Sequence, residues 1–343
     1  MKKLLNTLYV TTQGSYIRKE NETIVVEVKG DKILQLPIHT IDSIVCFGNV
    51  LCSPFLIGFC AEKNISISFL TEHGRFLGSI RSPVSGNVLL RRDQYRLADD
   101  CDATLGIAIN IIVGKIINSS VVLKRATRDH ADKIDTNKLK KTIAELHRLV
   151  DAIGTVHTIE EARGIEGAAA QKYFEVFDEL VIAQKEHFIF SGRNRRPPLD
   201  NINALLSYIY TILSHDIRSA IETVGLDPSV GFLHRDRPGR YGLALDLMEE
   251  FRPFIADRLV LSIINRNQIQ PKQFTTSITR AVTMDEGARK TVLIAYQQRK
   301  QEKIHHPFIK EDVQIGSLFY IQANLLARHI RGDIDGYPPF IWR

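Results

Sequence analysis

Ser82-Pro83-Val84-Ser85-Gly86-Asn87 divides the sequence into two parts with different hydrophobic periodicity. Proline, glycine and serine in one short run interrupt regular secondary structure and are typical of a linker. Before this run, apolar residues alternate with polar ones, as in a half-buried β-strand; after it, they recur three and four positions apart, which is the helical period. We therefore predict a β-rich domain over residues 1–83, a linker over 84–90 and an all-α domain over 91–343.

The first part of the sequence predicts short strands and one helix. Thr23 to Val28 is rich in β-branched residues and is flanked by turn residues. Ile65 to Leu70 alternates apolar residues with serines, as a strand with one buried face does. Ser53 before Pro54 is a typical helix start, and we predict that this helix continues through Glu62.

The second part predicts helices that bury apolar stripes against one another. The most apolar of them, Thr104 to Ile117, has Ile107, Ile111 and Lys115 one turn apart. It is shorter than the ~20 residues of a membrane span, so we expect no membrane association. The fold class is therefore α+β and multi-domain, with a small N-terminal β-rich domain before a larger all-α domain. The remaining helices are predicted over Thr136 to Val150, Thr158 to Phe190, Asn203 to Val224, Leu243 to Asn265, Thr283 to Lys300 and Val313 to His329.

The composition indicates a cytoplasmic globular protein. Of 343 residues, 44% are hydrophobic and 24% are charged, and the net charge is +6. This basic excess suits a polyanionic partner without requiring one. The four cysteines form no C-x-x-C pair, which argues against a zinc ribbon. The sequence contains no G-x-x-x-x-G-K-[ST] loop, so ATP-driven chemistry is not indicated.

Glu166 lies among small residues of a predicted helix, in the run Gly164-Ile165-Glu166-Gly167-Ala168-Ala169-Ala170. Glycine inside a helix costs about 1 kcal/mol relative to alanine, so glycines here indicate close approach by another backbone or by a ligand. Glu166 is the one acid in this patch and is therefore a candidate metal ligand. The alternative is a tight helix crossing with Glu166 at its solvated rim.

His234 lies in a loop rich in glycine, proline and arginine, Gly231-Phe232-Leu233-His234-Arg235-Asp236-Arg237-Pro238-Gly239-Arg240. An imidazole beside clustered arginines tends to stay neutral, which suits a metal ligand. The three arginines of the loop suit phosphate oxygens. The alternative is an ordinary loop histidine among solvated charges.

Asp246 and Glu249 are three positions apart and share one face of a predicted helix. Pro253 has no N–H to donate to the carbonyl of Glu249, and its ring crowds that carbonyl, so we predict a kink beside Glu249. An acidic pair at a kink is a candidate cation site; the alternative is a polar helix face without a function. Glu250 lies closer to the apolar side, so we expect it to support the structure or the site rather than to bind the cation.

A second basic loop, Gly192-Arg193-Asn194-Arg195-Arg196-Pro197-Pro198, lies between two predicted helices. Three arginines on a loop stiffened by proline suit contacts with phosphates. A solvated loop without a ligand is the alternative.

His215-Asp216 is a competing candidate site. Adjacent histidine and aspartate on a helix occur in HD-type metal phosphohydrolases, which need further histidine and aspartate ligands from neighbouring helices. His187 and Asp257 are available for that purpose, but no spacing signature supports them.

Taken together in chain order, the segments around Glu166, His234 and Glu249 resemble the CRISPR-associated integrase of the spacer-acquisition module. The resemblance covers essentially the whole chain, and a β domain before an α domain is the layout of that family. The Tyr337-Pro338-Pro339-Phe340 ending resembles subtype I-C. The matching pieces are Glu166-Gly167 with Ala170 and Tyr173, Asn203-Ala204-Leu205-Leu206-Ser207 with Tyr210, Gly231-Phe232-Leu233-His234, and Asp246-Leu247-Met248-Glu249 with Phe251-Arg252-Pro253.

The resemblance implies that Glu166, His234 and Glu249 are the catalytic residues and hold a divalent cation. Many relatives have aspartate at the position of Glu249, and the longer carboxylate of this chain still reaches a cation. The residues expected to support these ligands are Asp246, Tyr173 and Asn203.

The resemblance also implies partners. These are double-stranded DNA, a second copy of the chain joined through the β domain, and a small dimeric adaptation protein that two such dimers bracket in a heterohexamer. The residues expected to contact DNA are Arg193, Arg195, Arg196, Arg235, Arg237, Arg240 and Arg252.

Two carboxylates and an imidazole suit Mn²⁺, or Mg²⁺ with more water ligands. Such a cation polarises a scissile phosphate and orients an attacking 3′-hydroxyl. The predicted function is insertion of short DNA fragments into a CRISPR array, with endonuclease activity from the same site. The alternatives are a non-catalytic DNA-binding scaffold and an HD-type hydrolase that depends on His215 and Asp216.

Overall fold

The computed structural model describes residues 6–63, 65–72, 76–80, 88–194 and 196–342. The chain forms two compact units, Met1–Gly86 and Asn87–Arg343. Residues 84–87 of the predicted linker lie outside the described residues. Residues 88–90 begin a helix instead, so the linker does not extend over them.

The first unit contains two four-stranded sheets and one helix. One sheet has the strand order β1-β5-β7-β8 and the other has the order β4-β3-β2-β6. The β-rich fold predicted for this part of the chain is confirmed. Its elements are β1 (Asn6–Val10), β2 (Ser15–Glu20), β3 (Thr23–Val28), β4 (Asp31–Pro37), β5 (Ile41–Phe47), β6 (Val50–Cys52), α1 (Pro54–Glu62), β7 (Ser66–Leu70) and β8 (Phe76–Ile80).

Both sheets and α1 bury side chains in one core. Ile17 and Ile24 come from the second sheet, Ile44 and Ile67 from the first, and Leu56 from α1; all five are buried. The helix begins where the sequence predicted, because the Ser53 side chain accepts a hydrogen bond from Leu56 N at 3.1 Å.

The second unit is helical, as predicted, but it is not all-α. Two small antiparallel sheets, β9 with β10 and β11 with β12, interrupt its C-terminal half. The predicted helices Thr283 to Lys300 and Val313 to His329 are therefore wrong at their starts, where β10 and β12 lie. The elements are α2 (Val88–Asp99), α3 (Cys101–Asp129), α4 (Thr136–Ile153), α5 (Ile159–Glu175), α6 (Asn201–Thr223), α7 (Gly242–Phe251), α8 (Arg258–Asn265), β9 (Phe274–Thr276), β10 (Val282–Met284), α9 (Glu286–Gln301), β11 (Lys303–His306), β12 (Glu311–Gln314) and α10 (Leu318–Ile330).

The central helix of the second unit is α3, which packs against α4, α5 and α7. It has 29 residues, so the expectation that it is too short to cross a membrane was wrong. Its most apolar 18-residue window has a mean hydropathy of 1.8, and 67% of that window is buried inside the structure. Burial of this extent is typical of a core helix. The apolar stripe of α3 is therefore part of the core, as the sequence predicted.

Two predicted helices are interrupted. The helix predicted over Thr158 to Phe190 ends at Glu175, and Phe177, Phe188 and Phe190 beyond it are buried without continuing the helix. The helix predicted over Leu243 to Asn265 changes from α to π at Arg252–Asp257, which separates α7 from α8. The interruption lies at Pro253, where the missing N–H and the crowded carbonyl predicted it.

Candidate functional site

The structure brings the three predicted ligands together in the second unit. Glu166 lies on α5, Glu249 lies on α7, and His234 lies in the loop before α7. His234 Nε2 is 3.9 Å from Glu249 Oε1. Both carboxylates also contact the ammonium group of one lysine, Lys115 of α3. Three segments that are distant in sequence therefore converge on one cluster of charged groups.

Lys115 is the residue of this cluster that the sequence prediction missed. Its Nζ is 2.8 Å from Glu249 Oε2 and donates a hydrogen bond to Glu166 Oε1. Burial lowers the pKa of Lys115, but the negative charges of Glu249 and Glu166 outweigh burial and raise it overall. Within the described ranges, no three His, Cys, Asp or Glu side chains are arranged to hold a metal ion as they stand. The ammonium group instead supplies the positive charge between the carboxylates.

A signal for Lys115 exists in the sequence. It lies one turn after Ile111 and two turns after Ile107, and both isoleucines are buried. A lysine on the buried stripe of a core helix needs a nearby anion, because its charge is rarely buried without one. The sequence does not say which of its many acids provides the partner.

Glu249 is buried among positive groups. Its side chain is 3% exposed, and Arg252 Nη1 is 3.1 Å from its Oε1. Burial raises the pKa of Glu249, but the charges of Arg252, Lys115 and His234 outweigh burial and lower it overall. Its Oε2 accepts no hydrogen bond of ordinary geometry from the described residues, although Lys115 Nζ is 2.8 Å away. The carboxylate is therefore ionised and keeps an oxygen that can accept a cation.

Asp246 orients His234 instead of forming an acidic pair with Glu249. Its Oδ1 is 2.6 Å from His234 Nδ1, and its two oxygens accept the backbone N–H groups of Phe232, Leu233 and His234 at 2.6, 3.0 and 3.0 Å. A carboxylate accepts hydrogen bonds, so Nδ1 carries a proton and Nε2 is the ring nitrogen that would bind a cation. A Cβ at Gly231 would lie 2.6 Å from Asp246 Oδ2, so this close turn needs glycine.

The helix face around Glu166 is open. A Cβ placed on Gly164 or Gly167 meets no other atom within 4 Å, and both glycines are exposed, as is Ala168. Gly164, Gly167 and Ala168 therefore do not make the tight helix crossing that was the alternative interpretation, whereas Ala169 is buried. They leave space on the outer side of the cluster, next to a glutamate whose side chain is partly exposed.

The other two predicted supporting residues have partners outside the three predicted ligands. Asn203 Oδ1 accepts hydrogen bonds from Arg193 Nη1 at 2.6 Å and from Asn194 N at 3.1 Å, so it fixes the basic loop before α6. Tyr173 is buried, and its hydroxyl faces Asp257 of the π-helical segment. Neither residue contacts the three predicted ligands directly through a hydrogen bond described in the structure.

Five of the seven predicted DNA-contacting arginines fall into two groups. Arg193 and Arg252 are directed inward, toward Asn203 and Glu249, so the structure does not place them as free DNA contacts. Arg195 lies outside the described residues. Arg240 is half-buried. The members of the second group are exposed on the two basic loops and are Arg196, Arg235 and Arg237.

The HD-type alternative is not supported by the arrangement of its residues. Asp216 is buried, and it accepts hydrogen bonds from Lys300 Nζ at 2.6 Å and from the Tyr296 hydroxyl at 3.0 Å. Asp257 accepts from the Tyr210 hydroxyl at 2.6 Å. His187 is exposed and lies near Glu186. These residues belong to separate surroundings, with no shared metal site in the described part of the chain.

Glu250 has a structural environment, as its place near the apolar side predicted. Its carboxylate accepts hydrogen bonds from the Tyr337 hydroxyl at 2.6 Å, Phe340 N at 2.8 Å and Gln322 Nε2 at 3.2 Å. Burial raises the pKa of Glu250 to about 8. The side chain thus anchors the C-terminal segment and faces away from the Glu249 cluster.

Solved structures share this two-part fold. A casposase bound to its integration product superposes with a TM-score of 0.85 at 23% sequence identity, covering 99% of this chain and 95% of that chain. The chain in a Cas6-RT-Cas1–Cas2 complex superposes with a TM-score of 0.82 at 22% identity, covering all of this chain and 36% of that one. These similarities define a fold class shared by Cas1 proteins and a casposase.

The sequence specifies the family within that class. A relative from Chlorobaculum tepidum, named CRISPR-associated endonuclease Cas1 1, is 55% identical over 343 residues, which cover 100% of both chains. Residues 8–298 match the family described as CRISPR associated protein Cas1, so this chain belongs to the Cas1 family.

Proposed function

We propose that this protein is a metal-dependent DNA integrase and endonuclease that inserts short DNA fragments into a CRISPR array as new spacers. The observation that carries the proposal is the convergence of Glu166, His234 and Glu249 in a chain of the Cas1 family. The name of the Chlorobaculum tepidum relative, an endonuclease, supports a nuclease activity. The casposase shares the fold and is described with an integration product, which agrees with a joining reaction.

The donor groups fit a divalent cation. Glu166 and Glu249 offer carboxylate oxygens, and His234 offers Nε2 because Asp246 holds the proton on Nδ1. Glu249 Oε2 is buried and lies 2.8 Å from Lys115 Nζ, so this oxygen already accommodates a positive charge at the position proposed for the divalent cation. Two carboxylates and one imidazole suit Mn²⁺, and they suit Mg²⁺ when water completes its coordination. Bound there, the cation would polarise a phosphodiester and reduce the cost of its developing negative charge.

In strand transfer, the 3′-hydroxyl oxygen of a fragment forms a bond to a phosphorus atom of the target. The bond from that phosphorus to its original 3′-oxygen breaks, the attacking hydroxyl loses its proton, and the leaving 3′-oxygen takes up a proton to become a new 3′-hydroxyl. One phosphodiester replaces another, so no nucleotide cofactor is needed. Water in place of the hydroxyl gives cleavage. Arg196, Arg235 and Arg237 are exposed and would hold the backbone phosphates, which makes binding strongly dependent on salt.

The proposal includes partners. A family member occurs in a complex with Cas2, and we propose a small dimeric partner of that kind, bracketed by two dimers of this chain. The first unit exposes the apolar side chains of Ile33, Leu51, Phe55 and Leu77, which is compatible with homodimerisation through the β-rich domain. We further propose subtype I-C, from the ending Tyr337 to Phe340, and a cytoplasmic location.

A strand-transfer assay tests the metal-site assignment. The protein is incubated with Mn²⁺, a supercoiled target and a short duplex with free 3′-hydroxyls. Glu166→Ala, His234→Ala and Glu249→Ala are expected to abolish joining while DNA affinity persists. Matched controls are Glu175→Ala, on the same helix as Glu166, and His187→Ala, an exposed histidine. Full activity in any of the three site variants would refute the assignment.

The same assay separates the rival functions. A non-catalytic scaffold binds DNA but neither cuts nor joins it in the presence of the cation. An HD-type hydrolase loses its activity in His215→Ala and Asp216→Asn and keeps it in Glu166→Ala. The proposed integrase, in contrast, loses its activity in Glu166→Ala.

A further inference from the structure

A buried ammonium group lies where the proposed function needs a metal ion. The Lys115 side chain is 10% exposed, and its Nζ contacts one oxygen of Glu166 and one of Glu249. Arg252 and His234 are the other groups with positive or potential positive charge against Glu249. Two carboxylates pointing at one shared point repel each other unless a cation lies between them. In this structure that cation is the lysine.

The backbone that carries Lys115 is held firmly. A Cβ at Gly114 would lie 3.0 Å from Pro339 Cβ and 3.2 Å from Glu250 Cγ, so α3 fits closely against its neighbours there. One turn later, Asn118 Nδ2 donates to Glu250 O at 2.8 Å and to Phe340 O at 2.9 Å. Any movement of the ammonium group therefore comes from rotation of the flexible lysine side chain rather than from a shift of the helix.

We propose that Lys115 is an internal counter-cation of the Glu166–Glu249 pair: it holds the two carboxylates together in the metal-free protein and is displaced from them when a divalent cation binds. The inference rests on the proposed function in one respect, namely that these carboxylates receive a metal. A divalent cation and an ammonium group repel each other over a few ångströms, so both cannot keep the same two oxygens. Lys115 is thus a positioning residue: it keeps the two carboxylates in place before the metal binds, and it weakens metal binding because it competes for the same oxygens.

The experiment compares wild type with Lys115→Met, Lys115→Arg and the control Lys124→Met. Methionine removes the charge and keeps an unbranched side chain that is one atom shorter, whereas arginine keeps the charge. Lys124 lies on the same helix, is exposed and contacts His147. Mn²⁺ is titrated into the whole protein without DNA, and free Mn²⁺ is measured by electron paramagnetic resonance. The thermal midpoint is measured for each variant with and without Mn²⁺.

Lys115→Met is expected to bind Mn²⁺ at least about tenfold more tightly than wild type, because no resident cation competes. Without metal, its thermal midpoint is expected to fall by about 5 to 10 °C, because two buried carboxylates lose their counter-charge. Saturating Mn²⁺ should recover that loss. Lys115→Arg and Lys124→Met are expected to stay close to wild type in both measurements.

A double variant keeps the inference testable if Lys115→Met folds poorly without metal. Glu166→Gln removes one of the two repelling charges, so Lys115→Met with Glu166→Gln is expected to regain part of the lost thermal midpoint. A merely structural lysine would give no such recovery. Mn²⁺ binding by wild type with equal or weaker binding by Lys115→Met overturns this inference alone. Absence of Mn²⁺ binding by wild type overturns the proposed metal site and this inference with it.

Discussion

Glu249 and Glu250 are neighbours on α7, and both are buried, yet they lie in regions of opposite electrical character. Glu249 faces Lys115, Arg252 and His234, and these charges lower its pKa. Glu250 faces neutral donors from the C-terminal segment and α10, and burial raises its pKa to about 8. The same residue type at the same depth is an ionised group on one side of the helix and a readily protonated one on the other.

The difference shows how one helix serves chemistry and stability at once. A buried carboxylate costs much free energy unless it is paired or protonated. On the Glu249 side, neighbouring positive groups offset that cost and keep the Glu249 carboxylate ionised, so that it can bind a metal ion in place of one of them. On the Glu250 side, hydrogen bonds from Tyr337, Phe340 and Gln322 fix the C-terminal segment against α7.

The largest expected effect separates the two glutamates in catalysis. Glu249→Gln should lower Mn²⁺-dependent strand transfer at least about a thousandfold, because a weakly held cation forfeits several kcal/mol of transition-state stabilisation. Glu250→Gln should keep most of the activity, because its carboxylate does not face the cluster. Gel assays of joining measure both, after circular dichroism has verified folding. Equal losses in the two variants would mean that burial on α7, rather than ligand chemistry, controls activity.

A smaller effect tests the support of the Glu249 side. Asp246→Asn is expected to weaken Mn²⁺ binding by about 10- to 100-fold, because the amide no longer fixes the Nδ1 proton of His234 and disturbs the three backbone N–H groups that the carboxylate accepts. Titration with Mn²⁺ measures the change, and Glu250→Gln is the control on the other side of the helix. Unchanged affinity in Asp246→Asn would show that the histidine needs no such support.

Local signals predicted much of the fold. Thr23–Val28 and Pro54–Glu62 were expected from β-branched residues and from the Ser53-Pro54 start, and both elements have those bounds. The helix predicted over Thr158 to Phe190 continued too far, because the aromatic residues beyond Glu175 are buried from a 3-10 turn and from a loop rather than from a longer α-helix. β10 and β12 were missed because each has only three or four residues and lies shortly before a helix, so the predicted helices were extended back over them.

The candidate site shows the same limit. Residue types and their order selected Glu166, His234 and Glu249, but the helical face shared by Asp246 and Glu249 did not show what Asp246 contacts. Asp246 turns to the backbone of the His234 loop, a contact that helical spacing cannot reveal. Lys115 comes from α3, far from the other members in sequence, so only the packing of α3 against α5 and α7 brings it to them.

The smallest expected effect concerns the Glu250 side and depends on pH. The pKa of Glu250 is raised from 4.5 in the unfolded chain to about 8 in the folded one. Its contribution to stability is therefore complete below pH 4.5 and is lost as the pH rises through 8. Between pH 6.5 and 8.5, the free energy of unfolding should fall on the order of 2 kcal/mol from this group. This window lies above the pKa of Asp257, which burial raises to about 6.

Thermal unfolding of wild type and Glu250→Gln across that window measures the effect. The wild-type midpoint is expected to fall by about 5 °C between pH 6.5 and 8.5, and the amide variant should show a flatter profile because it has no proton to lose. The Glu249 side gives the opposite sign, since a lowered pKa places its loss of stability at acidic pH, outside the window. Parallel profiles for wild type and Glu250→Gln would show that Glu250 does not hold a proton at neutral pH, and that the two sides of α7 differ less than their neighbours suggest.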